Sequence, residues 1–296
     1  VKKNLEKINL ETILESGYII PYLESQGDFS LFSSVGMTER PDTLCGKISE
    51  GRIAILVDGT PNALIVPYFF VEYFQHLDDY SMHSYFATFT RWLKYMAFFL
   101  STLLPGLYVG ISTFNPEILP GPILSKIALA VGTTPFSLMF ETIIIHLIYE
   151  IMREAGLRIP RPLGHAVSIV GALVIGETAV SAGLIGAPTL MVVALTAISS
   201  YVIPNLYEPI SILKFAFIIV GGLLGIWGIM ILFTLVLVNL CFKNTYGIPF
   251  TAPIAPFNIF AMRDVIVRSG WSFLAKKIIK VQDFPGSEVK DRNVKR

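Results

Sequence analysis

Between Leu163 and Phe242 only three side chains carry a formal charge: Glu177, Glu208 and Lys214. From Phe215 to Phe242 there are 28 consecutive residues without one, more than the ~20 that an α-helix needs to cross the hydrocarbon of a bilayer. Beyond Lys214 the run that begins ILKFAFIIVGGLLGIWG at Ile212 is apolar on every face. It has no side to turn to water, so it cannot lie as an amphipathic surface helix. A chain built around this stretch is expected to be a multispan α-helical membrane protein. Composition agrees, at 53% hydrophobic and 15% charged with mean hydropathy +0.63, against about 25% charged in ordinary soluble domains.

Charge is unevenly spread. Residues 1–91 hold 7 Lys and Arg against 12 Asp and Glu, whereas residues 243–296 hold 10 against 4. A basic tail after the last apolar run is expected in the cytosol beside anionic lipid; no recognition motif points to nucleic acid. Residues 1–90 read as a small cytosolic α/β domain. Arg52–Asp58, the Asp58-Gly59 turn and Ala63–Val66 predict a hairpin. The aromatic stretch Tyr68–Tyr80 fits either the headgroup level or a helix packed in that domain. The chain opens on VKKNLEKINLETILE without Met, which reads as a piece of a longer protein.

Spans are expected near 92–115, 166–186, 189–203 and 212–241, followed by the tail at 243–296. The helix at 136–155 holds Glu141, His146, Glu150, Arg153 and Glu154, too many charges for a lipid-exposed span, so it is read as re-entrant or shielded by neighbours. Arg91, Lys94 and Lys214 read as interface anchors. The first two put the N-terminal domain in the cytosol, and four spans return the tail to that side. Parity then denies the cytosolic side to the basic cluster at 153–161.

Glu177 is the leading site candidate. It lies midway through a helix of small residues, where an unpaired carboxylate costs several kcal/mol. It must therefore be paired, protonated or facing water, either on an ion path or in a structural hydrogen bond to another helix. Glu141, His146 and Glu150 are weaker intramembrane candidates: His146 and Glu150 share a helix face and Glu141 lies off it. Gly171, Gly176, Gly183, Gly221 and Gly225 read as helix-packing positions. Cys45 and Cys241 offer no metal cluster. With no P-loop, G-x-S-x-G or H-E-x-x-H, no catalytic residue, metal or cofactor is expected.

Four blocks carry a resemblance: TERPDTLCGKISEGRIAILVDGTPNALIVP (Thr38–Pro67), IMREAGLRIPRPLG (Ile151–Gly164), SIVGALVIGETAVSAGLI (Ser168–Ile185) and YGIPFTAPIAP (Tyr246–Pro256). Together they resemble the A subunit of spore germinant receptors, the GerA family. The resemblance implies a multi-pass subunit of the spore inner membrane, with a cytosolic region of two subdomains of which this chain holds the second. It implies a transporter-like B subunit and a lipoprotein C subunit as partners, self-association through the membrane domain, and a nutrient-gated cation channel. It assigns no ligand residue. A secondary transporter subunit and a non-conducting membrane scaffold remain the alternatives.

Overall fold

The computed structural model describes residues 1–24, 30–159, 174, 176–259, 261–274 and 280–289. They fall into two compact units, Val1–Tyr95 with Leu235–Arg296, and Met96–Thr234.

The first unit is built on a three-stranded antiparallel sheet. β1 (Gly36–Thr38) and β2 (Ile53–Leu56) flank the central β3 (Ala63–Val66). The expected hairpin forms in the register Ile53↔Val66 to Leu56↔Ala63, and Gly59 takes a left-handed φ of 82° in its loop. β3 is an unbroken apolar run because all four of its residues are buried. Leu64 and Val66 pack with Ile19, Leu23 and Val35. The helix α1 (Pro41–Ser49) follows β1, with Pro41 where a missing N–H costs nothing and Asp42 in its first turn.

The aromatic stretch after β3 packs inside this unit rather than lying on a surface. Phe69 and Val71 share a hydrophobic cluster with Ile248, Ala252, Val265 and Val281. The basic tail therefore contributes to the same core as the N-terminal residues. Hydrogen bonds add to this union: Phe70 N donates to Phe250 O at 3.1 Å, Tyr246 Oη to Leu23 O at 2.6 Å and Val281 N to Glu50 O at 2.9 Å.

A buried ion network sits at the centre. Glu72 and Arg52, each with a side chain only 3% exposed, are paired directly. Lys47 Nζ lies 2.5 Å from Glu72, and Phe69 N donates to its carboxylate at 2.9 Å. Burial alone would push the Glu72 carboxyl up, but Arg52 and Lys47 outweigh it and hold it below the usual range.

The second unit is helical. Helix α2 (Ser84–Phe114) begins in the first unit and continues through Pro105. It is followed by α3 (Gly121–Thr133), α4 (Leu138–Arg158), a helical segment at 176–181, α5 (Ala187–Tyr201) and α6 (Tyr207–Phe242). Among the described residues two helices, Ser84–Phe114 and Pro204–Phe242, are long and apolar enough to cross a membrane. The pair α3 and α4, bent by 81°, is either a third, broken span or a re-entrant loop. Of the span expected at 166–186, residues 166–173 and 175 lie outside the described residues, Gly171 included. α5 is 15 residues long, about 22 Å at 1.5 Å per residue.

Close backbone approach fixes the contact between α2 and α6. A Cβ built at Gly106 would stand 2.6 Å from Phe217 O, and one at Gly221 2.6 Å from Gly106 O. Gly106 and Gly110 are spaced as G-x-x-x-G, as are Gly221 and Gly225, the pattern that lets helix backbones touch. At Gly225 the backbone leaves the helix (φ 64°, ψ −151°), a conformation open essentially to glycine alone.

Two outcomes follow from this packing. Glu72→Gln takes from Arg52 and Lys47 their shared buried carboxylate, leaves them the partly exposed Glu50, and is expected to cost about 3 kcal/mol, read as a lower thermal midpoint of the purified chain. Since the Glu72 value is depressed in the folded state, its contribution is complete above roughly pH 4.3 and is lost as pH falls through the lower folded value; the Gln variant lacks this acid-labile component. Gly221→Ala should lower the midpoint more than Gly176→Ala, because Gly221 meets a backbone carbonyl whereas Gly176 meets the flexible end of Leu190. Equal midpoints for the two would rule out the close crossing.

Candidate functional site

The charged residues of α4 divide between two surroundings. Glu141, in its first turn, is buried and accepts from Gly186 N at 2.8 Å and from Thr134 Oγ1 at 3.3 Å. It thereby anchors the turn that precedes α5. His146 is fully buried, its ring edge-on to Phe215 with centroids 6.2 Å apart, and neither ring nitrogen has a hydrogen-bond partner among the described residues.

One turn further on, Glu150 is the hub of an ion cluster. Its carboxylate accepts from Lys214 Nζ, from Tyr207 Oη and, at 3.3 Å, from Arg153 Nε. Lys214 is buried, with a side chain 2% exposed; this corrects its reading as an outward-reaching anchor. A buried ammonium is stable only beside a carboxylate, and among the described residues Glu150 on α4 is the one that pairs with it. Arg153 is held twice, by Glu150 and by the Tyr207 ring, over which its guanidinium carbon lies 3.3 Å from the centroid.

Arg91 and Lys94 are also inside the structure rather than at its rim, in the first unit. Arg91 is fully buried between Asp79 (3.2 Å) and Asp264 (2.8 Å), and Lys94 reaches Asp79 at 3.0 Å. Asp264 also accepts from Tyr80 Oη at 2.6 Å. This pins residues 261–268 of the tail against the start of α2.

Glu177 lines a cavity of about 920 Å³ among α4, the segment 176–181 and α5. Most of the lining is apolar, including Ile145, Ile148, Leu190, Val193 and Ile198; Arg153 is the other charged side chain there. Among the described residues nothing pairs with the Glu177 carboxylate. A second cavity of about 430 Å³ lies on the other side of the segment, against Thr178, Ala179 and Ala182.

The glycines serve three different purposes. Gly221 lies at the crossing with Gly106, and Gly225 breaks α6 beside Phe114. Gly176 faces Leu190. Gly183 takes a φ of 68° just past the helical segment, where Leu184 N returns to Ala179 O at 3.0 Å, the closing bond of a helix C-terminus. Among the described residues no group of His, Cys, Asp and Glu could hold a metal ion.

Among the described residues, two helices long and apolar enough to cross a bilayer accompany an α/β unit. The chain belongs to the GerA family: residues 1–278 match the family described as Bacillus/Clostridium GerA spore germination protein. It is 42% identical to spore germination protein KA of Bacillus subtilis over 273 residues, covering 92% of this chain and 50% of that protein. To the uncharacterized membrane protein YfkQ of Bacillus subtilis it is 37% identical over 278 residues, 93% and 54% of the two chains. To GerLA of Bacillus cereus it is 35% identical over 256 residues, 86% and 52%. The chain thus spans about half the length of the curated relatives it matches. No solved structure matches it.

The unequal burial of the ion pairs has a measurable consequence. Glu150→Gln leaves Lys214 buried without a counter-charge and is expected to cost about 3–5 kcal/mol. Glu154→Gln loses only a pair with Arg158, whose side chain is 78% exposed, and should change the thermal midpoint of the detergent-solubilised protein little.

Proposed function

We propose that this chain is the membrane subunit of a nutrient-sensing spore germination receptor and contributes, with further copies of itself, a cation-conducting path. The reading places it in the spore inner membrane beside a transporter-like subunit and a lipoprotein subunit, with its α/β unit and tail in the cytosol. Its support is the family and the names of its relatives, spore germination proteins KA and GerLA among them. The observation that carries the conducting role is Glu177: an exposed carboxylate with no described partner, beside a cavity whose lining is apolar apart from Arg153 and a few hydroxyl groups. An exposed carboxylate in an apolar segment is tolerated when water reaches it. Repeated around an axis by several copies, such carboxylates gather cations at a constriction, as acidic rings do in cation channels.

Glu177→Gln keeps the shape and removes the charge. In liposomes holding the full receptor, exposed to a mixture of amino acids, sugars and nucleosides, it should lower K⁺ flux roughly fivefold, the scale set by one removed charge near the path, while the assembled complex persists. K⁺ flux and ion preference equal to those of the unsubstituted receptor would reduce Glu177 to a packing residue.

A further inference from the structure

We propose that Arg153 is a movable counter-charge that sets whether Glu177 can attract a cation; this rests on the reading of Glu177 above. The argument begins with how the charges are paired. Among the described residues four formal charges stand at the cavity and the cluster beside it: Arg153 and Lys214 are cationic, Glu150 and Glu177 anionic. They balance in number, yet both cations are assigned to Glu150 and Glu177 has no described partner. Lys214 alone neutralises Glu150, so Arg153 is in excess there.

Arg153 is also the weaker of Glu150's two cationic partners. Its Nε stands at 3.3 Å, and what else holds it is the face of Tyr207. The side chain is 21% exposed, against 2% for Lys214, and it already lines the cavity that Glu177 lines. A guanidinium on a flexible stem forms two-pronged bonds with any carboxylate in reach. Two pairings are therefore available to the same four groups. With Arg153 on Glu150 and Tyr207, Glu177 has no partner among the described residues and the cavity favours cations. With Arg153 on Glu177, Lys214 keeps Glu150 neutral, the cavity has no free negative charge and cations lose their attraction to it. Glu177 is exposed and Arg153 partly so, and solvent screening keeps the two pairings close in free energy. That near-balance allows a modest input, such as a small movement of α6 carrying Tyr207, to choose between them.

The test measures K⁺ conductance and reversal potential of the full receptor in planar bilayers under a KCl gradient, with the nutrient mixture present. Glu177→Gln sets the reference for a lost carboxylate. Tyr207→Leu removes the surface on which Arg153 rests and leaves the Glu150–Lys214 pair in place. It should lower K⁺ conductance and cation preference about fivefold, to the Glu177→Gln level. Adding Arg153→Gln to Tyr207→Leu should restore both to or above those of the unsubstituted receptor, and adding it to Glu150→Gln should do the same wherever that variant assembles. A merely structural role for Arg153 predicts no restoration, and failure of the Tyr207→Leu pair to recover overturns the proposal. If Glu177→Gln lowers conductance but the pair shows no recovery, only the counter-charge falls. If Glu177→Gln changes nothing, or the unsubstituted receptor passes no K⁺, the reading of Glu177 falls and takes this inference with it.

Discussion

Two helix backbones come within van der Waals distance only where neither carries a side chain. The crossing of α2 and α6 at Gly106 and Gly221 is such a place, with carbonyl oxygens standing where any Cβ would have to go. In a layer where side chains are as apolar as their surroundings, close packing of backbones is what holds helices together. Val109 and Ile218 are fully buried beside this crossing, against Leu138 at the start of α4. α4 is in this way drawn to α6, and Lys214, two turns before Gly221, meets Glu150. Glu150 gives the buried Lys214 the counter-charge without which its burial would be prohibitive.

The ion pairs in the two units obey one rule at different depths. In the α/β unit Glu72 collects Arg52, Lys47 and a backbone amide. In the helical unit Glu150 collects Lys214, Tyr207 and Arg153. Each time one carboxylate satisfies several donors, because a buried anion is stable in proportion to the hydrogen bonds that replace its water. Asp264 does the same for Arg91 and Tyr80. The difference lies in what remains after pairing. Around Glu72 the contacts lock a core; around Glu150 one cation is left facing a cavity.

What the sequence disclosed follows the range of the interactions. Long apolar runs are local, so α2 and α6 were legible from the absence of charge alone, and the hairpin was legible from a turn between two β-rich runs. β1 was not: three residues, Gly36–Thr38, with no alternation to mark them. The helix α2 continues through Pro105-Gly106, and Gly106 matters for what lies across from it. Nothing in the sequence joins Glu150 to Tyr207 or Lys214, which lie 57 and 64 residues away. The i, i+4 spacing of His146 and Glu150 marked the correct face without naming its occupant. Glu177 stood out because isolation among small residues is itself a local signal. The tail, read as a separate basic segment, joins the N-terminal core through single apolar residues too scattered to show a period.

The break at Gly225 gives α6 a mechanical character that its length conceals. A continuous helix of 36 residues would be a rod about 54 Å long, and twisting one end would turn the other. Where the backbone leaves helical geometry the hydrogen-bond ladder is interrupted, and torque passes through the dihedrals of one residue that has no side chain to resist rotation. The two halves of α6 are coupled as shafts are by a joint: a push along the axis is carried across Gly225, while a rotation is largely absorbed there.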